Sequence, residues 1–103
     1  MKFYIVEEYT INNSNKSERT AWTFDNEESA KAFFEYTKKE LPAAFAREVR
    51  TATVGTSKKK TFIVDLSAIE ADTKEDAQSG MYDYVGTLDS TEYTYSDYLK
   101  GEK

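Results

Sequence analysis

Cysteine and histidine are both absent from this 103-residue chain. Without cysteine there is no disulfide framework, no zinc ribbon and no thiol nucleophile. Without histidine the commonest general acid/base and the commonest transition-metal ligand are missing as well. Proline occurs once and glycine four times, too seldom for a linker-rich or disordered chain. Long apolar runs are lacking too. The opening MKFYIVEEYT is interrupted by Glu7 and Glu8, so it does not read as a secretion signal, and no stretch has the length of a membrane span. Asn12-Asn13-Ser14 and Asn15-Lys16-Ser17 match the glycosylation sequon, but without a signal they read as a polar turn. The expectation is one soluble, cytoplasmic domain over residues 1–103, frayed at about residues 100–103.

What is present is aromatic and acidic. Six Phe and eight Tyr must supply much of the core. The net charge of −5 is unevenly spread. Residues 1–61 hold 11 Lys and Arg against 9 Asp and Glu, whereas residues 62–103 hold 3 against 10. Such asymmetry shapes the electrostatic field, and so bears on partners and not on fold.

Alternation predicts a strand over residues 2–11, with Phe3, Ile5, Tyr9 and Ile11 on one face and Tyr4 and Val6 on the other. A polar turn leads to a second strand over residues 19–24, with Trp22 and Phe24 on one face. Asp25 and Glu28 form an acidic capping box. Ala30, Phe33, Phe34, Thr37 and Leu41 then follow at helical spacing, Lys38 and Lys39 suit the last turn, and Pro42 is expected to end the helix. Residues 46–54 read as a third strand, residues 55–59 as a turn, and residues 60–69 as a fourth strand in which Phe62, Val64, Leu66 and Ala68 alternate with Thr61, Ile63, Asp65 and Ser67.

Asp72, Glu75 and Ala77 then repeat Asp25, Glu28 and Ala30 at an offset of 47. They predict a second capped helix, continued by Met81, Tyr84 and Leu88 and weakened by Gly80. Residues 92–96 read as a short fifth strand. The fold class is therefore α+β. An antiparallel sheet of four to five strands carries two helices on one face, arranged as a ββα pseudo-repeat. The helices are expected over Phe3, Ile5, Trp22, Phe24, Phe62, Val64 and Leu66. Tyr4, Val6, Ile63 and Ile69 are left on a second face too apolar to stay wet.

No motif carries catalytic chemistry. Nucleotide-binding glycine loops are absent. Ser57-Lys58 sits in a turn where nothing desolvates the lysine. Glu7 and Glu8 point to opposite faces of a strand, and Glu27/Glu28 and Glu75/Asp76 suit helix first turns. Asp65, Glu70, Asp72, Glu75, Asp76 and Asp83 lack the spacing of a calcium loop and read as a solvated face. No catalytic residue, metal or cofactor is expected. Lys58, Lys59 and Lys60, with Arg47 and Arg50, form the only basic cluster, but a pI near 4.8 argues against direct nucleic-acid binding.

The C-terminal run is the most unusual feature. Tyr82, Tyr84, Tyr93, Tyr95 and Tyr98 are interleaved with Asp83, Asp89, Glu92 and Asp97. Rings with a polar tip beside spaced carboxylates suit a surface that meets a basic partner. Asp83, Asp89, Glu92, Tyr93, Tyr95, Asp97 and Tyr98 are accordingly the candidate binding residues of a non-enzymatic acidic protein. Such a protein would act as an inhibitor or nucleic-acid mimic on a basic protein surface, and a phage or mobile element would be a fitting source. The alternative is a structural module that forms a homodimer through the apolar second face. No membrane contact is expected in either case.

Overall fold

The structure, a computed structural model, describes residues 1–13, 15–51 and 58–101. Lys2–Asn12 forms strand β1 and Asn15–Phe24 strand β2. They pair antiparallel with Asn12 opposite Asn15. Asn13, just past β1, has a φ of 53°, a left-handed conformation that Asn tolerates. The register shifts between Glu8 and Thr10. In the strand opposite, Glu18 also has a positive φ of 52°.

Helix α1 runs over Glu27–Thr51. Its cap is Asn26, whose side-chain oxygen accepts a bond from the Ser29 N–H at 2.8 Å, and not Asp25. Pro42 does not end it, and no strand occupies the described part of residues 46–54. The buried positions Ala30, Phe34, Thr37, Leu41 and Phe45 show why. The stripe continues at steps of three and four residues past the proline. Pro42 is exposed, and its local cost is about 3 kcal/mol. Burying Phe45 offsets that with roughly 1.5–3 kcal/mol, and with further contacts to the rings of Phe62, Tyr93 and Tyr98 at 5.0, 5.5 and 5.8 Å.

Strand β3 spans Lys60–Glu70, as the alternation predicts. Helix α2 is a single short turn, Lys74–Gln78, capped by Thr73, which accepts from the Asp76 N–H at 3.1 Å. Both caps thus sit one residue beyond the expected Asp, still 47 residues apart. The resemblance ends there. Gly80 adopts a φ of 87° just past α2, and Asp83–Thr94 forms strand β4. Met81, Tyr84 and Leu88 mimic a helical face only in spacing, for they are 68, 61 and 48% exposed. The expected fifth strand is the end of β4 followed by helix α3, Tyr95–Gly101. The order ββαβαβα replaces the pseudo-repeat. Residues 55–57 of the turn expected over 55–59 and the last two residues of the frayed end lie outside the described residues.

All pairings are antiparallel in one sheet of order β2-β1-β3-β4. Opposite Val6 lie Trp22 and Leu66, and opposite Tyr4 lies Phe24. Tyr4 and Val6, and not Phe3 and Ile5, therefore share the face of Trp22, Phe24, Phe62, Val64 and Leu66. On that face Val6, Val64 and Leu66 pack with Ala30, Phe34 and Leu41 of α1. Helix α3 joins α1 there through Tyr98 and Phe45, whereas the second helix expected on this face is the one that follows Asp72. The short α2 covers the reverse face, where Ala77 and Ala71 pack with Phe3, Ile5 and Ile69. An inner strand apolar on both sides gives no alternation from which to choose its phase.

Candidate functional site

Since β4 closes the sheet order, one side of its backbone has no strand partner among the described residues. Which of its groups face that side follows from the far end of the ladder. The Met1 ammonium donates to the Ala71 carbonyl at 2.8 Å, and the Ala71 N–H donates to the Met1 carbonyl at 3.0 Å. Antiparallel pairs alternate between bonded and non-bonded, and β1 pairs with β3 without a break from Lys2↔Glu70 to Asn12↔Lys60. Odd-numbered residues of β3 therefore bond to β1 and even-numbered ones to β4. Asp89, Thr91 and Tyr93, opposite Leu66, Val64 and Phe62, bond inward. Ser90, Glu92 and Thr94 aim their backbone groups at the open side.

Two of those three outward amides are met by carboxylates. The Ser90 N–H donates to Asp89 Oδ1 at 2.8 Å, and the Thr94 N–H donates to Asp97 Oδ2 at 3.0 Å. Asp97 also accepts from Thr94 Oγ1 at 3.1 Å, while its own N–H donates to that hydroxyl at 3.2 Å. This reciprocal pair caps α3. The bond from the Thr94 N–H, with help from the Thr94 hydroxyl, holds the Asp97 carboxyl below the usual carboxylate range.

The seven candidate residues are thus divided. Asp83, Asp89 and Glu92 are exposed along β4. Asp89 lies opposite Leu66 and Glu92 opposite Ile63, which puts their side chains on opposite faces of the sheet. Asp97 is committed to the cap. Tyr93 and Tyr98 are half-buried against Phe45, and Tyr95 packs on Tyr98 at 5.9 Å. Beside the acids stand residues that alternation could not single out. Register shifts fall between Leu66 and Ser67 and between Ala68 and Ile69, leaving Leu88 and Val85 as extra residues of β4. Bulges re-aim side chains at sheet edges, and here Tyr84, Val85 and Leu88 are all about half exposed or more.

Away from this edge, the reverse face carries a polar network. Arg19 and Lys16 both pair with Glu7, Lys16 at 3.8 Å, and the Lys16 ammonium lies 4.3 Å over the Tyr9 ring. The Tyr9 hydroxyl donates to Asp65 Oδ2 at 3.0 Å, and Ser90 donates to the other oxygen of Asp65. Burial, then the bond to Asp65 and the charges of Asp65 and Glu7, push the Tyr9 phenol up to about 12. A groove of about 470 Å³ runs beside this network, between Ile5, Ala21 and Thr23 of the sheet and Ala77, Gly80 and Tyr82.

The residues of the expected basic cluster differ in exposure. Arg47 and Arg50 lie exposed on α1, and Lys58 and Lys59 are exposed, but Lys60 is half-buried between Glu48 and Glu18, the latter at 3.7 Å. The hydrogen bond to Glu48 raises its pKa against the effect of burial. Among the described residues no group of three acids is placed to hold a metal, and no helix is long and apolar enough to cross a membrane. No protein-family model, no curated protein and no solved structure matches the chain.

Proposed function

We propose that the chain is a non-enzymatic binding protein that presents the acidic edge strand β4 to a basic protein surface. What supports it is the make-up of that edge. Asp83, Asp89 and Glu92 stand exposed on β4, no Lys or Arg interrupts them, and Tyr84, Val85 and Leu88 expose apolar surface between them. Carboxylates of one sign speed encounter with a cationic surface, and desolvated apolar contacts then hold the complex. Spaced carboxylates can stand in for phosphates, so inhibition of a nucleic-acid-binding protein is the sharpest form of this function. A cytoplasmic location accords with it. Self-association through the reverse face has weaker support. Glu7, Lys16, Arg19 and Asp65 lie on that face, and burying charges in a dimer interface carries a desolvation penalty of several kcal/mol per ion.

The test is kinetic. The immobilised chain captures its partner, and association is then measured by surface plasmon resonance at low and high salt. Association should slow as salt rises. It should slow at low salt in the variant Asp83→Lys/Asp89→Lys/Glu92→Lys, whose melting temperature should match wild type because exposed charges contribute little to folding. Unchanged association in that variant would overturn the proposal and direct attention to the reverse face.

A further inference from the structure

We infer that the partner meets β4 as an extended, Lys- or Arg-bearing segment that adds to the open edge as a fifth strand along residues 89–94. This rests on the acidic-edge reading above and specifies how the edge is used.

Three features of the edge lead to it. First, the pairing of β4 with β3 is regular from Thr61↔Thr94 to Leu66↔Asp89 and shifts only beyond Leu66. The stretch is therefore a pleated template, whereas the bulged residues before it are not. Second, Ser90 and Glu92 direct both their N–H and C=O groups outward, the pattern that an added antiparallel strand requires. Third, the outward amides of Ser90 and Thr94 are occupied by Asp89 and Asp97. An uncharged strand would have to displace those carboxylates from the two amides and offers them no cation in return. A strand carrying cations at alternate positions gives each displaced carboxylate a new partner, while its carbonyls take the freed N–H groups. The carboxylates thus act as a filter for charge as well as an attraction to it. Asp89 lies on the α1 face and Glu92 on the reverse face, so cations at alternate positions of an added strand, which share one face, meet one of these two carboxylates and not both. The opposite edge offers no equivalent, because β2 carries Lys16 and Arg19.

The experiment uses the full chain and two synthetic probes of equal charge: a ten-residue peptide of alternating Lys and Val, and its fully N-methylated counterpart, which has no amide to donate. The unmodified peptide should bind roughly tenfold or more tighter than the N-methylated one, about the worth of one or two net hydrogen bonds. Binding should slow hydrogen exchange at the Glu92 amide by a similar factor, and the variant Asp83→Lys/Asp89→Lys/Glu92→Lys should lose both effects. Equal binding of the two peptides, lost in that variant, would overturn strand addition and leave the basic-surface function standing. Binding unaffected by charge reversal would overturn both. Failure of both peptides to bind would overturn strand addition alone, since the captured partner decides the wider function.

Discussion

Asn26 and Thr73 each stand one residue past an aspartate that has the better credentials on paper. The difference is geometric. A cap must leave the helix while its side chain reaches the third amide of the first turn, and the bonds to Ser29 and Asp76 show that Asn26 and Thr73 do so. Asp25 instead makes an exposed ion pair with Lys74 at 3.3 Å, an interaction worth at most about 1 kcal/mol. Asn26→Ala and Thr73→Ala should each lower the free energy of unfolding by about 0.5–2 kcal/mol, and Asp25→Ala by less than either, as measured by urea titration. Tyr9 allows a second test at this scale. Its phenol is raised in the folded chain, so the protonated form is the one that folding favours. The associated stability is fully present below the ordinary tyrosine value near 10 and is lost as pH rises toward about 12. Melting temperature followed across that window should fall more steeply for wild type than for Tyr9→Phe. Parallel curves would show that Tyr9 ionises without cost to the fold.

At the level of elements, α1 sets two opposing effects side by side. Pro42 removes one helical hydrogen bond at an exposed position, and Phe45 repays it from the core. Pro42→Ala should therefore stabilise the protein, by up to about 3 kcal/mol, whereas Phe45→Ala should cost about 3–5 kcal/mol. A destabilised Pro42→Ala would mean that the proline shapes the helix in a way its exposure does not reveal. Tyr93→Ala and Tyr98→Ala should lower stability as well, because both rings lie on Phe45. These same elements show what could be read in advance. β3 was legible because Val64, Leu66 and Ala68 are buried while Ile63, Asp65 and Ser67 are half-buried, a clean period of two. The second half of α1 was not, because proline is a strong local signal and the burial of Phe45 is a tertiary one. β4 was misread as helix and then strand. Its two extra residues break the period of two, and Ala77, Met81, Tyr84 and Leu88 imitate a period near four. The exposed acids of the edge were identifiable by charge alone. That Asp97 belongs to a cap, and that Val85 and Leu88 lie beside the acids, depends on bulges and termini that pattern does not encode.

For the whole molecule, the extents of 45 × 25 × 19 Å follow from its parts, since a strand of a dozen residues and a helix of 25 are each close to 40 Å long. The long sheet is built mainly from pairings between distant parts of the chain, Lys2 with Glu70 and Asn12 with Lys60 among them. Loop closure must precede such contacts, so refolding should take milliseconds to seconds and not microseconds. Stopped-flow fluorescence of Trp22, which packs on Phe33 at 4.8 Å, would measure it. The position of β1 has a consequence during synthesis. It leaves the ribosome well before β3, yet it is an inner strand, flanked by β2 and β3. While residues 60–70 are still inside the exit tunnel, β1 can pair with β2 but not with β3. Through that interval Phe3, Ile5 and Ile69's future neighbours lie uncovered beside an unpaired backbone edge, the combination most prone to association between chains. Slowing translation between α1 and β3 should therefore lower the yield of native protein, and a ribosome-bound chaperone that shields extended apolar segments should restore it.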